Sequence, residues 1–259
     1  MNSPKEIALA YCAAGEAKTK MPALKVFILA IFAGMFIALA GVGAAIAAVS
    51  IEKASVAKLT GALLFPAGLA MVIVAGSELF TGNNLLIVPV LAKRIRVGQM
   101  LKNWVIVYIG NLIGSLLVAG LCAGGNIFAL FGGAAAESVV STAVAKVSMG
   151  FGTAFIKGVL CNFLVCIAVW MAFAAKTVPG KIMAVFFPVA LFVLSGFEHS
   201  VANMYYISAG LFCGGAEKLT WGAMFLRNLL PVTLGNIVGG AGIVGCGYWC
   251  VYLKESKTN

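Results

Sequence analysis

Long apolar runs, separated by short segments that hold most of the charged residues, dominate this chain. A bilayer crossing needs about 20 largely apolar residues. Six runs are long enough: residues 24–50, 60–92, 100–131, 149–174, 181–209 and 225–253. The pattern predicts an all-α polytopic membrane protein with six transmembrane helices. Residues 24–253 then form a single transmembrane domain, preceded by an N-terminal segment (1–23) and followed by a short tail (254–259).

The composition excludes most soluble classes. The 259 residues are 62% hydrophobic and 10% charged, against about 25% charged in an average soluble domain. A soluble enzyme, a disordered chain and a nucleic-acid-binding domain are all inconsistent with these values, so nucleic acid is not an expected partner. The single histidine and the absence of aspartate argue against a bis-histidine haem or a multi-histidine metal site. We therefore expect no cofactor and no metal.

The net charge of +10 is explained by the distribution of Lys and Arg around the spans. With both ends on one side, 12 of the 18 Lys and Arg lie on that side and five on the other, and Lys157 lies inside a span. Because cytoplasmic loops are enriched in Lys and Arg, both termini are predicted to be cytoplasmic and the protein to lie in the inner membrane. The N-terminal segment has apolar positions at Ile7, Leu9 and Tyr11, which favour an interfacial helix.

The two halves of the chain resemble each other. Four short patterns recur in the same order at offsets of 119 to 125: Phe32–Ile37 with Phe151–Ile156, Phe65-Pro66 with Phe187-Pro188, Glu78…Asn83 with Glu198…Asn203, and Gly110-Asn111 with Gly235-Asn236. The repeats cover about residues 24–131 and 149–253. Each holds three spans, an odd number, so the halves must be inverted relative to each other. Inverted repeats typically place a pathway at their interface near the membrane midplane.

Polar residues interrupt the second and fifth spans at equivalent points of the repeat. Residues 74–84 and 194–203 each place Gly, Ser, a carboxylate and Asn in an apolar run. Irregular backbone at membrane depth occurs only inside protein or along a cavity. Both helices are therefore predicted to be broken at the midplane, with their half-helix N-termini directing partial positive charge to it. This arrangement favours an anion.

Ionisable residues within membrane spans are functional candidates by default, and this chain has four: Glu78, Lys157, Glu198 and His199. We interpret both glutamates as structural carboxylates that hold the broken segments. Lys157 is either a source of positive field or the ion-pair partner of a glutamate. His199 follows a helix break, and we expect it to be functional.

Three segments of the sequence resemble signature segments of the formate/nitrite transporter family. Residues 76–82 (Gly-Ser-Glu-Leu-Phe-Thr-Gly) are similar to its first signature, residues 158–170 (Gly-Val-Leu-Cys-Asn-Phe-Leu-Val-Cys-Ile-Ala-Val-Trp) to its second, and residues 195–203 to the break in its fifth helix. The resemblance extends over all six spans. It implies an aquaporin-like protomer within a homopentamer, with one pore per protomer that conducts small monovalent anions such as formate, nitrite or hydrosulfide.

The resemblance also implies roles for individual residues. His199 corresponds to the central pore histidine and Thr81 to its hydrogen-bonding neighbour, while Lys146 takes the place of the lysine that draws anions into the outer vestibule; Lys157 has no clear counterpart. Asn162 and Asn236 are further polar groups near the midplane. The residues expected to form the apolar constrictions are Phe65, Leu69, Leu79, Phe80 and Phe192.

Several alternatives stay open from the sequence. His199 either lends a proton to the anion during the crossing or stays neutral and donates a hydrogen bond. A proton-coupled secondary transporter would carry the same residues. A neutral-solute channel of the aquaporin kind is a weaker interpretation because no proline follows any asparagine, and an enzyme is not expected. The preferred anion is not determined by the residues.

Overall fold

The computed structural model describes residues 1–254, and every regular element in that range is a helix. The predicted tail, residues 254–259, therefore lies outside the described residues except for Lys254. The first half consists of α1 (Pro4–Lys20), α2 (Ala23–Ala48), α3 (Ala54–Leu64), α4 (Pro66–Ala75), α5 (Phe80–Asn83), a 3₁₀ turn (Asn84–Leu86), α6 (Ile87–Leu91) and α7 (Val97–Gly124).

The second half repeats this order. It consists of a 3₁₀ segment (Ile127–Gly133), α8 (Ala134–Val147), α9 (Phe151–Ala174), α10 (Val178–Leu194), α11 (Ser200–Phe212), α12 (Trp221–Ala223), α13 (Leu230–Ile237) and α14 (Cys246–Tyr252). Two π-helical segments, Met224–Leu229 and Val238–Gly245, join α12 to α13 and α13 to α14. The six crossings are α2, α3–α6, α7, α9, α10–α11 and α12–α14, which confirms the predicted fold class.

The region between the repeats differs from the sequence prediction. The third span was expected to extend to Phe131, but α7 ends at Gly124 and a separate helix, α8, follows. Although Ile127–Val147 is long and apolar enough to cross a membrane, left-handed backbone at Phe131 and Gly132 interrupts it. The 14 residues of α8 rise only about 21 Å, less than a bilayer crossing. α8 is thus the counterpart of α1, because each precedes the first crossing of its half.

Close helix pairs form the centre of each half: α2 packs along α7, and α9 along α13. At Gly114 a side-chain Cβ would overlap the carbonyl oxygen of Ile31, and at Gly239 it would overlap that of Val159. Each of these glycines follows another by four residues, Gly110 before Gly114 and Gly235 before Gly239. The absence of side chains at these positions lets the helix backbones approach each other, as small residues do between membrane helices.

Both described ends of the chain lie on the same face of the molecule. Ile7 and Ala8 of α1 form one apolar cluster with Trp170, at the end of α9, and with Tyr248 and Leu253 near the C-terminus. The backbone N–H of Asn2 also donates to the carbonyl of Ala174 at 2.9 Å. Helix α1 thus closes over the ends of the transmembrane helices on this face, which we call the N-side.

Candidate functional site

The two broken helices have the same backbone course. Gly76 ends α4 with φ 79° and Gly196 follows α10 with φ 69°, a left-handed conformation that glycine adopts without a steric penalty. Three residues later, Leu79 and His199 are extended N-cap residues of α5 and α11. Leu79 and His199 are therefore equivalent in the repeat, and the symmetry is broken where one half has leucine and the other histidine.

A buried asparagine holds each break in position. In the first half, the side chain of Asn111 accepts from the N–H of Phe80 at 2.9 Å and donates to the carbonyls of Ala30 (2.7 Å) and Glu78 (3.0 Å). These bonds satisfy backbone groups that the missing helical turn would leave unpaired in an apolar interior.

Asn236 makes the equivalent bonds in the second half. It accepts from the N–H of Ser200 at 2.9 Å and donates to the carbonyls of Gly158 (2.8 Å) and Glu198 (3.0 Å). Its side chain is fully buried, so the amide that the resemblance assigns to the pore is bonded to the backbone of the break.

Asn162 links the two breaks to each other. Its amide nitrogen lies 3.3 Å from the carbonyl of Thr81, 2.8 Å from Oδ1 of Asn84 and 2.7 Å from the carbonyl of Asn236. Asn162 is fully buried, and it contacts elements of both halves. It therefore fixes the position of the first break relative to the second.

Each predicted structural carboxylate belongs to a cluster of four residues. Glu78 accepts from Lys18 and Asn83, both at 2.6 Å, and Asn83 also donates to Asn103 at 2.9 Å. The lysine comes from α1, which sequence reasoning did not connect with the site.

The second half holds the same cluster at the opposite end of the molecule. Glu198 accepts from Lys146 at 3.0 and 3.1 Å and from Asn203 at 2.6 Å, and Asn203 donates to Asn228 at 2.8 Å. Lys146 comes from α8, the counterpart of α1. Lys18 lies 128 positions before Lys146, close to the offset of the repeat. A search for the repeat counterpart of Lys146 would therefore have identified Lys18 from the sequence.

Lys157 is not the ion-pair partner of either membrane glutamate. In the described part of the chain, Glu78 pairs with Lys18 and Glu198 pairs with Lys146. The backbone carbonyl of Lys157 accepts from the N–H of Glu198 at 3.2 Å, and its side chain lines a cavity described below. Of the two interpretations made from the sequence, the ion pair is wrong because α8 supplies the lysine instead.

His199 lies where the two breaks meet, and 3% of its surface is exposed. Its Nδ1 accepts from the backbone N–H of Ala202 at 3.0 Å, and its Nε2 lies 2.8 Å from Oγ1 of Thr81. Because Nδ1 is an acceptor, a neutral imidazole carries its proton on Nε2 and donates it to Thr81. The Thr81 hydroxyl then has its own proton free to donate.

Three cavities follow one another along the axis of the protomer. The N-side vestibule, about 410 Å³, is lined by α1 residues and reaches Leu69 and Leu79. A central cavity of about 10 Å³ lies between Leu69 and Leu79 on one side and Phe65, Phe192 and His199 on the other.

The far vestibule, about 700 Å³, opens on the opposite face and also reaches Phe65, Phe192 and His199. The shared lining residues place the three cavities in order, with His199 beside Phe65 and Phe192, where the central cavity meets the far vestibule.

Aromatic contacts set the narrowing on the far side. The ring centroids of Phe65 and Phe192 are 5.9 Å apart at 80°, and Phe192 stacks on His199 at 5.8 Å and 12°. Phe80, expected in a constriction, packs instead against Trp104 and Tyr108 and lines none of the three cavities. Its position follows from the α5 N-terminus, where the side chain turns towards α7.

Helix α1 forms part of the N-side vestibule. The Tyr11 hydroxyl donates to the carbonyl of Gly82 at 3.1 Å, and Arg94 pairs with Glu16. Burial raises the pKa of the Tyr11 phenol well above its ordinary value, so Tyr11 acts as a neutral donor. Together with Lys18, these contacts attach α1 to the first break.

Nothing in the described residues assembles a metal centre, since residues 1–254 contain no group of three or more His, Cys, Asp or Glu side chains placed to hold an ion. The polar groups described so far near the axis are the His199 imidazole, bonded to Thr81, and the two lysine–glutamate clusters.

Comparison with known proteins identifies the family. The family described as formate/nitrite transporter matches residues 5–250. A probable formate transporter from Methanothermobacter thermautotrophicus is 42% identical over 271 residues, covering 98% of each chain. The named relatives of this chain are transporters and channels, not enzymes.

Two solved structures are similar to this one. A chain described as an FNT family ion channel superimposes with a TM-score of 0.89 at 32% identity, covering 95% of this chain and 98% of the other. A pentameric formate channel with formate bound gives a TM-score of 0.79 at 36% identity, covering 90% and 98%. With its six crossings, inverted halves and two broken helices, this chain belongs to the formate/nitrite transporter family of membrane proteins.

Proposed function

We propose that the protein is a channel that passes formate through a pore in each protomer of a homopentamer. The observation that carries this proposal is the alignment of two large vestibules on a central cavity that is lined by His199, the hydrogen-bond partner of Thr81, and by the side chains of the apolar narrowings. The similar solved structure described as a pentameric formate channel with formate bound supports both the substrate and the assembly.

The orientation follows from the distribution of charge. The sequence assigns 12 of the 18 Lys and Arg to the side of the termini, so we assign the N-side to the cytoplasm and the far vestibule to the outside of the inner membrane. Helix α1, with Lys18 and Lys20 in its last turn, is then a cytoplasmic interfacial helix.

Selectivity begins in the vestibules and ends at the narrowings. Positive potential from Lys146 and from the half-helix N-termini concentrates small anions in the far vestibule. Phe65 and Phe192 then remove water from the anion. The carboxylate of formate gains basicity as it loses water, because desolvation disfavours the charged form.

His199 is proposed to act as a neutral hydrogen-bond donor. If His199 became an imidazolium, Nδ1 would carry a proton facing the N–H of Ala202, and the N-cap bond of α11 would be lost. Before the anion arrives, the Nε2–H donates to Thr81. We propose that this N–H turns to the dehydrated carboxylate in the central cavity and replaces part of its lost hydration. This geometry favours hydrogen bonding over proton lending.

The test is solute flux through the purified protein in proteoliposomes, with formate, nitrite, hydrosulfide, chloride and glycerol compared at several pH values. We expect saturable formate flux that exceeds chloride flux, with nitrite and hydrosulfide as weaker substrates. Protein-free liposomes give the background from neutral formic acid.

Three results would contradict the proposal. Glycerol flux without anion flux indicates a neutral-solute channel. Formate accumulation driven uphill by a proton gradient indicates coupled secondary transport. Equal flux of formate and chloride removes the selectivity assigned to the two narrowings.

A further inference from the structure

The far vestibule holds more positive charge than its carboxylate neutralises. Three lysines line it, Lys58, Lys146 and Lys157, together with a single carboxylate, Glu198. Lys146 is held by Glu198 at 3.0 Å. Within residues 1–254, Lys58 and Lys157 take part in no ion pair, so this cavity keeps two uncompensated ammonium groups.

The N-side vestibule does not share this excess. Its lining contains Lys18, Lys181 and Glu78, and Lys18 is paired with Glu78 at 2.6 Å. One ammonium group is left there, against two in the far vestibule. The repeat therefore accounts for the paired lysine on each side. Beyond it, the far vestibule holds two unpaired lysines, Lys58 and Lys157, and the N-side vestibule holds one, Lys181.

Hydroxyl groups face the same cavity. Ser138, Ser141 and Thr142 of α8 line it, on the same helix as Lys146. Ammonium and hydroxyl donors around one space form an environment suited to several oxygen acceptors, since charge-assisted bonds to carboxylate oxygens are the strongest that lysine makes. A monovalent anion with one carbon atom would neutralise only one of the two uncompensated ammonium groups. It would also fill only a small part of the cavity, whose volume is about 700 Å³.

The exit from this cavity selects against higher charge. Phe65 and Phe192 narrow it, with ring centroids 5.9 Å apart, so an anion must lose water to go further. The cost of dehydration grows with the square of the charge, and it is roughly four times larger for a divalent than for a monovalent ion of the same size. A divalent anion is therefore attracted into the vestibule and stopped at its end.

We propose that the far vestibule contains a binding site for a small dicarboxylate or similar divalent oxyanion, formed by Lys58 and Lys157, and that the bound ion blocks the pore from that side. The blocking part of this inference rests on the proposed channel function, whereas binding does not.

Binding is tested by titration calorimetry of the full-length protein in nanodiscs at low ionic strength, with oxalate as the probe and acetate as the monovalent comparison. We expect oxalate to bind more tightly than acetate, and each of Lys58→Gln and Lys157→Gln to weaken oxalate binding about tenfold, the effect of one unit charge about 5 Å from a divalent ion in water. Lys53→Gln is the matched control, because Lys53 is exposed next to α3 and outside the cavity lining.

Equal binding of oxalate and acetate would overturn the site. So would oxalate binding that Lys58→Gln and Lys157→Gln leave unchanged, or that Lys53→Gln weakens equally. Thermal unfolding of each variant establishes that it is folded before titration.

Blocking is tested in the flux assay with oxalate added on one side. We expect oxalate to inhibit formate flux from the far side, and Lys58→Gln/Lys157→Gln to relieve that inhibition. Oxalate that passes through the channel, or inhibits equally after both substitutions, would overturn the block. If oxalate binds as expected and formate does not pass at all, the site stands and the proposed channel function fails.

Discussion

The Lys146–Glu198 pair offers the sharpest test of how the second break is held. The exposed fractions of the two side chains are 15% and 7%, so Lys146→Met leaves a nearly buried carboxylate without its cation. Removal of one partner from a buried pair costs about 3–5 kcal/mol, and we expect the lower end, about 3 kcal/mol, because Lys146 faces a vestibule. For a domain of this size that corresponds to a fall in melting temperature of about 6–12 °C.

The assay is thermal unfolding of the purified protein, followed by tryptophan fluorescence. The double variant Lys146→Met/Glu198→Gln should recover at least half of the loss, since replacing a buried ion pair by neutral groups is often close to neutral for stability and the new amide oxygen can still accept from Asn203. Lys218→Met is the control, because Lys218 is exposed and should change the melting temperature little.

The double variant also separates structure from transport. The double variant removes one positive and one negative charge, so we expect its formate flux at low salt to stay close to the native rate. Lys146→Met removes only the positive charge and should carry less formate, with a difference that shrinks as salt screens the charge. Two results would refute the conclusion that this ion pair stabilises the second break. One is a double variant as unstable as Lys146→Met, and the other is a melting temperature of Lys146→Met equal to that of the native protein.

Three further predictions follow from single contacts. Thr81→Val should cost about 1–3 kcal/mol, because it leaves the histidine N–H unpaired, and should lower formate flux; the same change at half-buried Thr60, outside the three cavities, is the control, and equal effects would contradict it. Gly235→Ala should prevent folding to a stable protein, measured by size-exclusion chromatography, because its Cβ would overlap a backbone carbonyl of α9. Cys12, on the buried face of α1 and with its pKa raised by that burial, should resist a maleimide that labels exposed Cys250; rapid labelling of both would show that α1 is not docked.

The crossings and the breaks were predictable because membrane burial constrains sequence strongly. A span must be almost wholly apolar, so the polar segments at Glu78 and Glu198 stand out, and their spacing of 120 residues reveals the repeat. Gly76 and Gly196 also indicate where the half-helices end, since both adopt the left-handed backbone conformation that follows a half-helix.

The partners of the polar residues were not predictable, because they depend on how elements pack. Asn162 and Asn236 are equally compatible with a pore lining and with a backbone bracket when only the sequence is known. The structure places both on backbone carbonyls. The position of Phe80 was uncertain for the same reason. A shift of one residue in where α5 begins would turn its side chain from α7 towards the axis of the protomer.

The largest omissions were helix α8 and the contact of α1, itself expected as an interfacial helix, with the first carboxylate cluster. Neither helix crosses the membrane, so neither gives the long apolar signal by which the spans were found, yet they supply Lys18 and Lys146 to the two carboxylate clusters. The inverted repeat thus includes the helix before each first crossing, and extending the repeat search to charged positions recovers it.

The central claim is that formate crosses this pore past a neutral histidine that donates a hydrogen bond. The most direct test is formate flux as a function of pH in proteoliposomes, for the native protein and for His199→Asn. Asparagine is a good helix N-cap residue and its amide keeps a donor without a titratable proton. The account predicts that His199→Asn retains saturable formate flux with the same pH profile as the native protein. Loss of the pH-dependent flux in a folded His199→Asn variant would contradict it and would assign proton transfer to the histidine.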